Sequence, residues 1–143
     1  MTTTETQVDR LSATLSLSFA EAVAHSKEAF KEEGFGVLTE IDVQKTLQDK
    51  IGFQMDAYCI LGMCNPSLAA RAITVAPDIG LFLPCNVLVA QRGACIEVSA
   101  QDPLFMIPMV SNEALGPIAH EVRDKLGRAL KRLKDWEAAD PLG

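Results

Sequence analysis

Apolar residues occupy every second position from Leu11 to Leu17, with Ser and Thr between them. This period of two predicts a strand with one buried face. The period then changes to a helical one after Ser18, which has Glu21 three residues later in the arrangement of a capping box. Apolar residues recur at helical spacing until Gly34, so a long helix is predicted after the first strand.

Two further apolar segments follow, with helix signals between them. Residues 35–43 are β-rich and predict a second strand, with Val37, Thr39 and Ile41 on one face. Asp42 is a suitable N-cap, and Gly52 a suitable C-terminal residue, for a short helix. Residues 55–63 then predict a third strand.

Asn65 followed by Pro66 is the preferred pair at a helix start, so another short helix is predicted there. Residues 81–90 and 94–100 are apolar segments on either side of a short turn sequence at residues 91–93. They predict a β-hairpin.

The last and clearest helical pattern runs over residues 113–137. The predicted order is strand, long helix, strand, short helix, strand, short helix, hairpin and long helix. A largely antiparallel five-stranded sheet with two main helices on one face fits this order, which is an α+β two-layer sandwich. We expect one α+β domain over residues 11–139, preceded by a flexible tail at residues 1–10, which has no periodicity.

The net charge and the apolar content of the chain argue against several classes of binding partner. The chain has 143 residues and a formal net charge of −6, which argues against binding of nucleic acid or anionic lipid through clustered basic residues. It contains no apolar run of 18 residues, and its first residues are polar. We therefore expect a cytoplasmic protein, with no membrane partner, whose thiols stay reduced.

Four cysteines fall in the middle of the chain: Cys59, Cys64, Cys85 and Cys95. Their spacing lacks the repeated short C-x2–4-C pattern of a structural zinc site. Neither His25 nor His120 is close to them in sequence, and no partner for a general base is identifiable. The sequence therefore defines no metal-ligand set and no cofactor.

Two of these thiols occupy predicted irregular backbone. Cys64 lies two residues before Pro66, where a strand turns into a helix, and a helix N-terminus stabilises a nearby thiolate. Cys85 follows Pro84, which lacks a ladder donor and so predicts a sheet edge or a bulge, a common feature near functional sites.

An asparagine follows each of these thiols. The side-chain amides of Asn65 and Asn86 can donate hydrogen bonds to an anionic sulfur or to a ligand. Cys59 and Cys95 are instead expected to act as small hydrophobic residues in the core. The methionines at 55, 63, 106 and 109 would suit a soft metal ion beside two thiolates, although methionine more often fills gaps in a core.

Four segments of the chain carry a resemblance to a known family: GFGVLTEIDV (34–43), YCILGMCNP (58–66), LFLPCNVLV (81–89) and SAQDP (99–103). The sequence resembles the family catalogued as domain of unknown function 302. The resemblance implies a TATA-box-binding-protein-like α+β fold arranged β-α-β4-α, and often a homodimer. It implies no DNA binding and no established activity. The family motif corresponds here to Tyr58, Gly62, Cys64, Asn65, Pro66, Pro84, Cys85, Asn86, Asp102 and Pro103.

The leading hypothesis is a thiol site at Cys64 and Cys85 that binds a small ligand or a soft metal ion, or undergoes reversible redox chemistry. Cys64 would be the reactive or ligating thiolate and Cys85 the resolving thiol or second ligand. The residues expected to bind the ligand are Tyr58, Asn65, Asn86 and Asp102. One alternative is a non-enzymatic interaction or ligand-binding scaffold whose cysteines only pack. Another is an apolar-ligand pocket between the sheet and the two long helices.

Overall fold

A computed structural model describes residues 11–139, so the predicted tail at residues 1–10 lies outside the described residues. The strands are β1 (Leu11–Leu15), β2 (Gly36–Asp42), β3 (Tyr58–Cys64), β4 (Cys85–Arg92) and β5 (Cys95–Ala100). The α-helices are α1 (Phe19–Lys31), α2 (Val43–Ile51), α3 (Pro66–Val75), α4 (Ile107–Val110) and α5 (Leu115–Ala139). Two 3₁₀ helices, Pro77–Phe82 and Pro103–Met106, precede β4 and α4.

The five strands form one sheet in the order β1-β5-β4-β3-β2, and each neighbouring pair is antiparallel. The helices α1 and α5 pack against each other and against this sheet. The main core lies between them and contains Phe30 of α1, Leu61 and Val89 of the sheet, and Leu126 of α5. The predicted α+β two-layer sandwich is therefore confirmed.

A second, smaller cluster of buried apolar side chains lies beside the main core. Its buried members are Leu68, Ala72, Ala76, Ile79, Leu115 and Ile118. These residues come from α3, the first 3₁₀ helix and the start of α5, together with the turn that follows α3. α3 and the first 3₁₀ helix thus pack on the start of α5 in an apolar cluster separate from the main core.

The predicted helix starts have a direct physical basis. The Ser18 hydroxyl accepts a hydrogen bond from the Glu21 N–H at 3.1 Å, while the Glu21 carboxylate accepts one from the Ser18 N–H, which completes the capping box. Asp42 accepts from the Lys45 N–H at 2.9 Å and starts α2. Gly52 ends α2 with a φ of 66°, a left-handed conformation that favours glycine.

Three sequence predictions are corrected, two at the start of β4 and one in β2. Leu81 and Phe82 belong to the first 3₁₀ helix, because β4 begins only at Cys85. Pro84 creates neither an edge nor a bulge, since it lies just before the first residue of an interior strand, where no ladder donor is needed.

The bulge is in β2 instead, where the register shifts between Val37 and Thr39. This extra residue places Val37 opposite Met63 and Thr39 opposite Gly62, so they lie on different faces. The prediction that Val37 shares a face with Thr39 and Ile41 is therefore wrong.

Within residues 11–139, the helices are too short or too polar for any of them to span a bilayer.

Candidate functional site

Cys64 is the last residue of β3, and the turn that follows it is tightly held. The Asn65 side chain caps α3, since its Oδ1 accepts a hydrogen bond from the Leu68 N–H at 3.2 Å. Its Nδ2 donates to the Glu33 carbonyl oxygen at 3.3 Å. The predicted N-cap is confirmed, and both polar atoms of the Asn65 side chain have partners within the protein. Asn65 therefore fixes the backbone next to Cys64.

Cys85 is the first residue of β4 and lies opposite Met63 of β3. Because side chains that are directly opposite share a face, Cys85 points to the same side of the sheet as the buried Met63. Cys85 thus follows the alternation of Val87 and Val89, which face the helices.

Gly62 allows the segment before Cys85 to approach the sheet closely. A Cβ added at Gly62 would lie 2.8 Å from Cγ of Pro84 and in direct conflict with the Thr39 hydroxyl. The proline ring cannot rotate away as a long side chain can. The glycine in the family motif is therefore explained by the space that Pro84 and Thr39 need.

We predict that Gly62→Ala destabilises the protein by about 1–3 kcal/mol, the usual cost of overpacking a well-packed position. The midpoint of urea unfolding measures this loss. Gly36→Ala is the matched control, because a Cβ at Gly36 meets no atom within 4 Å and Gly36 also lies in a strand. Equal stability of the two variants would contradict the prediction.

Both thiols line one cavity of about 310 Å³, which lies where β3 ends and β4 begins. Its walls come from α3, the two 3₁₀ helices, the first half of α5 and the ends of the two strands. The polar side chains among its lining residues are Cys64, Asn65, Cys85 and Gln101, and no charged side chain is among them. The cavity is therefore apolar, with two thiols and two amides as its polar groups.

Burial raises the pKa of the Cys85 thiol to about 11, and repulsion from the nearby charge of a Cys64 thiolate adds to the rise. Cys85 is therefore protonated at neutral pH. Burial also raises the pKa of the Cys59 thiol, and the carboxylates of Glu40 and Asp42 act in the same direction. Both effects favour the neutral thiol.

The other two cysteines lie away from the cavity. Cys59 is 5% exposed and belongs to the main core, as predicted. Cys95 is half-buried at the start of β5, beside the hairpin turn, and is not among the core residues. All four cysteines are free thiols.

The remaining predicted ligand residues do not gather around the cavity. Tyr58 is the first residue of β3, at the other end of the strand from Cys64, and pairs with Ala90. Asn86 is exposed and pairs with Gly62, on the face of the sheet away from the helices. Neither residue lines the cavity.

Asp102 is buried and holds in place the 3₁₀ helix that forms part of the cavity wall. Its Oδ1 accepts a hydrogen bond from the Leu104 N–H at 3.0 Å, and its Oδ2 forms an ion pair with Nε of Arg123 at 3.0 Å. Asp102 thereby caps the 3₁₀ helix that brings Pro103 and Met106 to the cavity. In this geometry Asp102 positions the wall rather than lining it.

Sequence reasoning missed this 3₁₀ helix, although a signal was present. Asp102-Pro103 has the same arrangement as Asn65-Pro66, an N-cap residue followed by a proline at the first helical position. Recognising this signal would have predicted a helical turn at residues 103–106.

Glu33 connects three elements next to the site. Its carboxylate is 6% exposed and accepts hydrogen bonds from Nε of Arg128 at 3.0 Å and Nε of Arg132 at 2.9 Å, both on α5. Its carbonyl oxygen accepts from Asn65 at the start of α3. Burial acts to raise the pKa of the Glu33 carboxyl, but the two guanidinium groups outweigh it and hold the pKa below its usual range.

The histidines lie outside the cavity. His25 contacts Trp136 with ring centroids 3.8 Å apart, between α1 and α5, and His120 is exposed. Among residues 11–139, no group of three or more His, Cys, Asp and Glu side chains is arranged to hold a metal ion.

Comparison with family models matches residues 11–133 to the family described as domain of unknown function DUF302. Among solved structures, the crystal structure of an uncharacterized conserved protein DUF302 from Bacillus stearothermophilus is similar, with a TM-score of 0.82 and 30% sequence identity. The match covers 88% of this chain and 98% of that chain. A comparison with curated proteins finds no match.

Proposed function

Because the chain belongs to the DUF302 family, as its sequence motifs predicted, and this family is described only as a domain of unknown function, we propose a function from the site itself. We propose that the cavity binds a small, uncharged, mostly apolar molecule and holds it against the thiols of Cys64 and Cys85. The observation that carries this proposal is one apolar cavity lined by both thiols.

The chemistry of the cavity supports this class of ligand. A volume of about 310 Å³ lies at the lower end of the range for small-molecule sites. A charged organic ligand would lose its hydration without gaining a partner of opposite charge while the thiols stay protonated, because no charged side chain lines the cavity. An uncharged apolar molecule avoids that loss.

The entrance supports the proposal as well. Three large apolar side chains that line the cavity are also exposed: Leu38 at 66%, Ile73 at 46% and Phe105 at 47%. They come from the β2 bulge, α3 and the second 3₁₀ helix. An apolar molecule arriving from water would contact them first, which gives the exposed side chains a use in ligand entry.

Within this proposal the two thiols have different roles. Cys64 is half-buried at the strand-to-helix turn and is the thiol that contacts or reacts with the ligand. Cys85 is the second, more enclosed thiol. Asn65 holds the turn, while Gln101, which also lines the cavity, supplies an amide to a polar group of the ligand.

The alternative is a non-enzymatic interaction or ligand-binding scaffold whose cysteines only pack. The burial of Cys85 favours this alternative, since a protonated thiol among apolar side chains behaves as a small hydrophobic residue. In that case the cavity binds its ligand without thiol chemistry.

Cysteine alkylation separates the two proposals. We expect iodoacetamide to modify Cys64 faster than Cys59 and Cys85, and N-phenyl-1-naphthylamine, a neutral apolar fluorescent probe, to slow this modification by filling the cavity. Peptide mass spectrometry measures each rate. Cys95 is the internal control, because it is also half-buried but lies at the hairpin turn.

Slow alkylation of all four cysteines would support the scaffold instead. Failure of the probe to bind, or equal protection of Cys64 and Cys95, would contradict the proposed ligand site.

The homodimer, the cytoplasmic location and the TATA-box-binding-protein-like fold stay predictions from the sequence resemblance and composition. We include the homodimer in the proposal, and sedimentation at the mass of a single chain would contradict it.

A further inference from the structure

Sulfur atoms are concentrated at this cavity. Residues 11–139 contain four cysteines and four methionines, and four of these eight residues line the cavity: Met63, Cys64, Cys85 and Met106. Met63 lies directly opposite Cys85, where Cβ atoms are about 4.5–5.5 Å apart, and Cys64 follows Met63 in the chain. Met106 approaches from the second 3₁₀ helix, on another wall.

The carboxylate and imidazole ligands that harder ions use are missing from the same lining. Mg²⁺ and Ca²⁺ require several oxygen ligands, and zinc sites use thiolates together with further thiolates, imidazoles or carboxylates. Thiolate and thioether sulfur instead select soft ions such as Cu(I).

The structure thus points to a ligand class for this site: we propose that the cavity binds one Cu(I) ion through the thiolates of Cys64 and Cys85, with the thioethers of Met63 and Met106 beside it. This inference shares the cavity of the proposed function but not its uncharged ligand, because the two thiols lose their protons to the ion and supply the negative charge that a cation needs. Each thiol that ligates the ion releases its proton to solvent, and neither copper nor sulfur changes oxidation state.

The surroundings suit such an ion. Cu(I) forms stable complexes with two or three sulfur ligands. The site therefore does not need a group of three or more His, Cys, Asp and Glu side chains, which is absent among residues 11–139. The apolar walls limit the contact of a bound Cu(I) with water, which slows its oxidation and its exchange with solvent ligands.

Anaerobic titration of the full chain with Cu(I), buffered by bicinchoninate, tests the proposal. We expect one ion per chain. Cys64→Ser and Cys85→Ser should each weaken binding by more than the roughly 10- to 100-fold that loss of an outer-shell contact costs at a metal site. Cys95→Ser is the matched control and should bind as the unchanged protein does. Met106→Leu should weaken binding by less than either serine variant.

X-ray absorption of the copper-loaded, unchanged protein gives a test that does not depend on how a variant folds. Sulfur neighbours alone support the proposal, and nitrogen or oxygen neighbours overturn it. Undiminished binding by Cys64→Ser or Cys85→Ser would also overturn it. If Cu(I) does not bind but N-phenyl-1-naphthylamine does, the copper site is refuted and the apolar-ligand site stands. The reverse result refutes the apolar-ligand site alone.

Discussion

Replacing Glu33 with Gln is expected to lower the free energy of unfolding by about 2 kcal/mol at pH 7. Removing one partner of a fully buried ion pair costs about 3–5 kcal/mol, while surface pairs contribute about 0–1 kcal/mol. Glu33 is buried, but Arg128 and Arg132 are each about half exposed, so an intermediate loss is expected. The glutamine leaves both guanidinium groups without their shared carboxylate.

This loss depends on pH in a defined direction. Because the folded protein holds the pKa of Glu33 below its usual range, the stabilisation is fully present above the unfolded pKa and disappears as pH falls through the lower, folded value. The unchanged protein and Glu33→Gln should therefore differ in stability at pH 7, and the difference should shrink as pH falls from the unfolded pKa of about 4.3 through the lower, folded pKa.

Urea unfolding at several pH values measures both effects. Glu32→Gln is the matched control, because Glu32 is the adjacent glutamate and its side chain is exposed. A constant difference between the unchanged protein and Glu33→Gln across this pH range would show that the ion pairs are not responsible.

Replacing Ala69 with Phe is expected to weaken binding of N-phenyl-1-naphthylamine about 100-fold. Ala69 is half-buried on α3 and lines the cavity, so the aromatic ring occupies space that the probe needs. Displacing about four CH₂ equivalents of ligand contact costs roughly 3 kcal/mol at ~0.8 kcal/mol for each, which corresponds to about two powers of ten.

Ala70→Phe provides the matched control for this substitution. Ala70 is the next residue of the same helix, is exposed and does not line the cavity. Fluorescence titration of the two variants and thermal unfolding of both separate blocked binding from loss of the fold. If Ala69→Phe binds the probe as tightly as Ala70→Phe does, the ligand lies elsewhere.

Local sequence patterns were sufficient to predict the main architecture. The alternation before Ser18, the capping box and the long apolar period of α5 each depend on residues close in the chain, so these elements could be assigned without tertiary information. The turn at Asn65 was predictable for the same reason. The structure keeps these local preferences because they agree with the buried faces of the sheet and helices.

Features that depend on distant segments were not predictable. Apolar residues at 81 and 82 fit a strand as well as a 3₁₀ helix, and packing beside α3 decides between them. The β2 bulge at Leu38 moves the side chains of the preceding residues to the opposite face of the sheet from the one that simple alternation predicts. No local sequence pattern indicated this bulge.

The candidate site was predictable only in part. The strand-to-helix turn at Cys64 was visible in the sequence, because Asn65 and Pro66 follow the thiol, whereas the edge or bulge predicted at Cys85 was wrong. The cavity that the two thiols share was not visible, since it depends on Met106 and Gln101, which arrive from beyond β5. Tyr58 was chosen from the family motif and Asn86 because its amide follows a thiol, and neither reason reveals where a side chain lies relative to a cavity.

The separation between the main core and the smaller apolar cluster has a consequence for divergence. Much of the cavity wall belongs to α3, the 3₁₀ helices and the start of α5, whereas the sheet and α1 depend chiefly on the main core. Mutations that resize the wall therefore change which molecules fit the cavity while most of the packing that keeps the chain folded is preserved. Chains that share this scaffold can consequently change the size and shape of the cavity by small steps, without passing through unstable intermediates.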